Sequence, residues 1–145
     1  MIGIILTGHG EFATGLADSL QMIAGNQTHF QAIPFKQNAS LHEFEKSLEH
    51  AIDVLLEETD GVVIFTDILG GTPFKTAISV TQKVENIEVL CGTNLPMLIE
   101  IAMARDFESS VSELAQQAIG IGKETILLAS VMTRQKIINN CEEGI

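Results

Sequence analysis

Short apolar runs alternate with amphipathic helical stretches along this chain, and that alternation restricts its fold more than any other feature. Ile2 to Leu6 is the first apolar run; it leads into Gly8-His9-Gly10 and reads as a buried strand followed by a loop. From about Thr14 the spacing turns helical, with Leu16, Leu20 and Ile23 on one face and Gly25 as a stop. Thr28 to Ile33 is read as a second strand closed by Pro34. Ser40 and Glu43 form a capping-box pattern ahead of Leu41, Phe44, Leu48, Ile52 and Leu55 at helical spacing. Gly61 then leads into Val62-Val63-Ile64-Phe65-Thr66, the clearest buried strand, which ends at Asp67 and the loop Ile68-Leu69-Gly70-Gly71. Thr72 and Pro73 read as an N-cap and a first helical residue. Ile87 to Cys91 is a fourth strand, Asn94 and Pro96 start a helix through Ala104, and Ser110 with Glu113 caps another. Thr125 to Ala129 is read as a last strand. The reading is α/β: an open, mostly parallel sheet with helices on both faces.

The chain has 145 residues, enough for one domain with a sizeable core. We assign the domain to residues 1–130 and treat 131–145 as a polar tail without an assigned element. Eight basic against nineteen acidic side chains give a formal charge of −11, which excludes a nucleic-acid partner held by a basic face. The N-terminal apolar run has no basic flank and is too short for a signal peptide, and no stretch approaches the roughly 18 apolar residues of a spanning helix. Cys91 and Cys141 are isolated, so neither a metal site nor a disulfide framework is expected. These readings predict a soluble, cytoplasmic protein without a metal or other cofactor.

In open sheets of this kind ligands sit beyond the carboxyl ends of the strands, where the strand order reverses. His9 follows the first strand and Asp67 the third, so the two meet in one crevice if those strands are neighbours. A carboxylate on Nδ1 would fix the imidazole tautomer and leave Nε2 as a nucleophile. Gly8 and Gly10 remove bulk around the ring and allow unusual backbone angles. The helix starts near Thr14 and at Thr72-Pro73 offer N–H groups to a phosphoryl group, and the Thr72 hydroxyl adds a donor or acceptor. Each part also has a plain reading: His9 as a hydrogen-bonded loop residue, Asp67 as an Asx turn, Gly70-Gly71 as a flexible turn.

Three segments carry a resemblance to a known family, in that family's order and spacing: Thr7-Gly8-His9-Gly10-Glu11-Phe12-Ala13-Thr14-Gly15-Leu16, Thr66-Asp67-Ile68-Leu69-Gly70-Gly71-Thr72-Pro73, and Gly92-Thr93-Asn94-Leu95-Pro96-Met97-Leu98. Over roughly residues 1–130 the chain resembles the mannose-family enzyme IIA domain of the bacterial phosphoenolpyruvate-dependent sugar phosphotransferase system. The resemblance implies a phosphotransferase working through a phosphohistidine. In it, His9 takes phosphate on Nε2 from the phosphocarrier protein HPr and passes it to a IIB component. Asp67 matches the carboxylate that orients the ring, and Thr72 a Ser/Thr of the phosphate pocket, with Gly8, Gly10 and Gly71 supporting it. It further implies a homodimer in which the last strand, Thr125 to Ala129, antiparallel, joins the partner's sheet. Contact with the membrane then runs only through the membrane components, which also carry most of the sugar specificity. Lys75 departs from the pattern, where Asn is usual.

His29, His42 and His50 have no glycine frame or second ligand beside them. Glu11, directly after the histidine loop, is assigned to the edge of the docking surface. Met97, Ile101 and Ala104 share a helical face and read as core or subunit contact. His9-Gly10-Glu11 is similar to the Arg-His-Gly-Glu signature of histidine phosphatases, but position 8 is glycine where that chemistry needs arginine. A receiver domain with Asp67 as phosphoacceptor would need acidic residues after the first strand to hold magnesium, and Thr7-Gly8-His9 has none. The phosphoryl-transfer subunit of a dihydroxyacetone kinase system ranks second; its histidine loop usually carries serines where this chain has glycines.

Overall fold

The computed structural model describes residues 1–108, 110–132, 139, 141 and 142. Four strands, β1 (Gly3–His9), β2 (Phe30–Phe35), β3 (Val62–Phe65) and β4 (Ile87–Leu90), form one parallel sheet in the order β2-β1-β3-β4. The helices are α1 (Phe12–Ala24), α2 (Leu41–Glu58), α3 (Thr72–Thr81), α4 (Leu95–Ala104) and α5 (Val111–Glu124). The α/β reading therefore holds, with helices on both faces. None of the helices among the described residues is long and apolar enough to cross a membrane.

Alternation along β1 splits the core in two. Ile4 and Leu6 pack with α1, α4 and α5 through Leu20, Leu98, Ile101 and Leu114. Ile5 points the other way, onto Phe44, Leu48, Ile52 and Leu55 of α2 and Ala77 of α3. β3 and all of β1 before His9 are buried runs, as expected of central parallel strands. Each large aliphatic side chain buried here contributes about 1.5–3 kcal/mol relative to exposure.

Local chemistry sets the helix ends. Ser40 and Ser110 accept hydrogen bonds from the Glu43 and Glu113 backbone N–H groups, and Asn94 accepts from that of Met97. At Ser110 the second half of the expected box is supplied differently: its own N–H donates to Glu108 Oε1 at 2.8 Å. Gly25 ends α1 at φ 74°.

Several boundaries differ from the sequence reading. α1 begins at Phe12, two residues early, and β2 runs through Pro34 to Phe35. β2 is an edge strand, where a missing backbone donor is tolerated. Thr72 is the first residue of α3 rather than its cap, and Gly71 takes the cap position. The expected last strand does not form within the protomer: Thr125 caps α5 and Ala129–Val131 is a turn of 3-10 helix. Ile126, Leu127 and Leu128 between them are exposed, and among the described residues no strand pairs with them. The tail assigned to 131–145 falls largely outside the described residues.

At the amino end of the sheet, buried Arg105 donates to the carbonyls of Ile2, Thr28 and His29 and to Gln27 Oε1. Burial lowers the pKa of its guanidinium, partly opposed by neighbouring Asp106. His29 sits at φ 48° in the turn before β2 and pairs with Glu58 at 3.1 Å, at the opposite edge from His9.

Candidate functional site

The strand order turns back between β1 and β3, so the crevice of a doubly wound sheet opens at their carboxyl ends. His9 is the last residue of β1, and Asp67 follows β3 after Thr66. Three threonines tie this edge together. Thr7 Oγ1 donates to Ile33 O at 2.6 Å, Thr66 Oγ1 to Leu90 O at 2.7 Å, and Thr93 Oγ1 to Thr66 O at 2.7 Å. Gly92 N–H donates to Asp67 O at 2.8 Å. The Gly92-Thr93-Asn94 segment thus anchors the Asp67 loop from β4, a supporting role that its motif alone did not disclose.

The expected pair is assembled. Asp67 Oδ2 lies 2.6 Å from His9 Nδ1 and accepts the His9 backbone N–H at 2.8 Å, while Oδ1 accepts the Ile68 N–H at 2.8 Å. The Asp67 side chain is 13% exposed and that of His9 48%. Burial alone would push the Asp67 carboxyl up. The His9 N–H, the imidazole and the Ile68 N–H outweigh it and hold the carboxyl below its ordinary value. An ionised Asp67 fixes the proton on Nδ1 and leaves the lone pair on Nε2. Among the described residues none hydrogen-bonds Nε2.

The glycines act by different means. A Cβ on Gly8 would lie 2.5 Å from the Phe12 ring and 3.1 Å from Asp67 Cβ, so this position is glycine because Phe12 and the carboxylate close over it. Gly10 instead has open space and φ +57°, the angle that turns the chain from β1 into α1, and its N–H donates to Phe35 O. A Cβ on Gly71 would stand 2.8 Å from His9 Cε1 and 2.9 Å from Ile68 Cγ2. The start of α3 therefore abuts the imidazole. Thr72 and Phe74 present N–H groups that have no intrahelical partner, and Pro73 has none to present.

Phe35, which the sequence reading passed over, meets His9 edge to face with centroids 5.9 Å apart. Lys75 is exposed on the groove between α2 and α3, with Glu45, Thr72 and Ser79. Glu11 folds back onto its own helix, its Oε2 accepting from Thr14 Oγ1 at 2.7 Å. Exposed Ile68 and Leu69 form an apolar rim beside the site. A crevice of about 670 Å³ between β2 and α2 includes neither His9 nor Asp67. The imidazole lies outside that crevice, half exposed.

Comparison with known proteins gives the family of the chain. The family described as PTS system fructose IIA component matches residues 3–119. The chain is 29% identical over 130 residues to the PTS system fructose-specific EIIA component of Bacillus subtilis, covering 86% of this chain and 88% of that one. It is 32% identical over 125 residues to the PTS system mannose-specific EIIAB component of Escherichia coli, covering 86% of this chain and 38% of that longer protein. Among solved structures, phosphotransferase system component EIIA from Streptococcus agalactiae superposes with a TM-score of 0.79 at 31% identity, covering 91% of this chain and all of that one.

Proposed function

The chain belongs to the fructose- and mannose-type enzyme IIA family of the sugar phosphotransferase system, and from that premise we propose that His9 Nε2 carries the phosphoryl group. Proteins of this family are phosphotransferases of the uptake cascade. In our reading the donor is phospho-HPr, the acceptor is a IIB component, and residues 1–130 are the working domain, acting in the cytoplasm. The observation that carries the assignment is the 2.6 Å contact between Asp67 Oδ2 and Nδ1 of a half-exposed imidazole.

The Nε2 lone pair attacks phosphorus in line. The new N–P bond forms as the donor's N–P bond breaks, and that electron pair returns to the donor imidazole. His9, already protonated on Nδ1, becomes cationic as it is phosphorylated, and Asp67 offsets that charge. The N–H groups of Thr72 and Phe74 and the Thr72 hydroxyl are suited to the phosphoryl oxygens. Transfer to IIB is the same step with His9 as the leaving imidazole. Because the bond broken and the bond formed are alike, positioning and electrostatics supply the rate.

We also assign the chain to a homodimer. Exposed Ile126, Leu127 and Leu128 follow α5, and β4 leaves one edge of the sheet open to a strand from a second copy. The relatives named above are sugar-system components, which favours this reading over a dihydroxyacetone kinase subunit. Incubation with phosphoenolpyruvate, enzyme I and HPr tests it. Acid-labile, base-stable label on the wild type and none on His9→Ala is expected; an unlabelled wild type refutes the assignment.

A further inference from the structure

One hydrogen bond does not fix a ring. Asp67 holds His9 at Nδ1, and Gly71 closes against Cε1, yet the imidazole is nearly half exposed and could still swing about its Cβ–Cγ bond. The third restraint is aromatic. Phe35 is the register partner of His9 on the neighbouring strand, and the two rings meet at 78° with centroids 5.9 Å apart. Phe35 in turn rests on Phe44 of α2, with centroids 4.9 Å apart and an interplanar angle of 52°. Phe44 is buried in the core cluster beneath the sheet, and Phe35 is packed against that cluster. A chain of three rings thus connects the fixed interior of the α2 face to the exposed imidazole.

We propose that Phe35, braced by Phe44, is a positioning residue for His9. Its edge-to-face contact limits rotation of the imidazole about Cβ–Cγ, and so keeps Nδ1 on the carboxylate and Nε2 free for transfer. It also covers apolar ring surface beside the carrier nitrogen, where water would otherwise approach phosphohistidine. Phe35 touches the imidazole and takes no part in bond making. The inference deepens the phosphocarrier reading and rests on it only for its kinetic consequence.

The test uses the full chain with Phe35→Leu, Phe35→Met and Phe35→Tyr. In the unphosphorylated wild type, ring-nitrogen NMR of His9 is expected to show a single form with the proton on Nδ1. In Phe35→Leu and Phe35→Met the two ring nitrogens are expected to shift towards averaged values, with backbone amide spectra and melting temperatures close to wild type. Phe35→Tyr is expected to restore the wild-type pattern. After loading through phosphoenolpyruvate, enzyme I and HPr and removal of the donor, the two aliphatic variants should lose label roughly three- to tenfold faster, the range expected for losing one aromatic pair. Unchanged nitrogen signals in both aliphatic variants would overturn the proposal. If the wild type takes no label, the carrier reading fails, while the nitrogen signals still decide the role of Phe35.

Discussion

Asp67 Oδ2 binds His9 twice, through the imidazole at 2.6 Å and through the backbone N–H at 2.8 Å. The same oxygen therefore holds the ring and the chain that carries it, and the remaining oxygen is held by Ile68 N–H. Asp67→Asn keeps the shape but removes the charge and can turn a donor towards Nδ1. Phosphorylation of His9 is expected to slow by about 10²-fold, the scale of losing one preorganised electrostatic partner. Initial labelling rates at fixed phospho-HPr check this.

The depressed Asp67 carboxyl also sets a pH dependence. A carboxyl lowered on folding adds stability that is complete above its unfolded value near 3.9 and lost as pH falls through the folded value. Denaturant midpoints of wild type should therefore fall below about pH 4 by more than those of Asp67→Asn. Parallel profiles for the two proteins across that range would remove Asp67 as the source.

Gly71 and Gly10 separate a packing effect from a backbone effect. Gly71→Ala places a methyl 2.8 Å from His9 Cε1, so the ring or the start of α3 must move. Labelling should drop by about tenfold or more, since displaced reacting groups lose rate steeply. Gly10→Ala meets no atom but holds a side chain at φ +57°, which costs about 1 kcal/mol. Its melting temperature should fall while labelling at a permissive temperature stays within about twofold, because no new atom approaches the ring.

Arg105 supplies a control remote from the site. Arg105→Met takes a donor from the carbonyls of Ile2, Thr28 and His29; the Ile2 carbonyl is buried, while that of His29 keeps the Ile4 N–H. A loss of about 1–3 kcal/mol is expected, chiefly from the buried Ile2 carbonyl left without this donor. Urea denaturation measures the loss, and labelling of His9 in the folded fraction should be unchanged.

What could be read from the chain beforehand was the part written in local chemistry. The apolar runs of β1 and β3, the caps at Ser40, Asn94 and Ser110, and the stop at Gly25 each depend on neighbours within a few residues. The meeting of His9 and Asp67 followed from one general rule about strand order. Phe35 was missed because its value comes from register: Pro34 seemed to close the strand, yet an edge strand accepts proline, and one residue further on lies the partner of His9. Gly8 was read as removing bulk around the ring, whereas its constraint is Phe12 and Asp67 packed over it. Ile126 to Leu128 looked like a strand by composition, but a strand requires a neighbour, and none pairs with it among the described residues.

That last segment leads to a prediction about assembly. Ile126, Leu127, Leu128 and Val131 are 75%, 64%, 67% and 74% exposed, and a run of large apolar side chains left in water favours burial against another surface. The open edge of β4 offers unpaired backbone groups on the same sheet, so a second copy can satisfy both needs by adding its segment there. Charges placed on the segment would have to be buried in that arrangement. Wild type is therefore expected to sediment as a dimer at tens of micromolar, and the double variant Ile126→Asp, Leu128→Asp as a monomer. His9 and Asp67 belong to one protomer and are joined through β1 and β3, so the monomer should keep the ring-nitrogen signals of the pair. Wild type sedimenting as a monomer at tens of micromolar, or a dimer that the aspartates leave intact, would show that this segment is not the dimer contact.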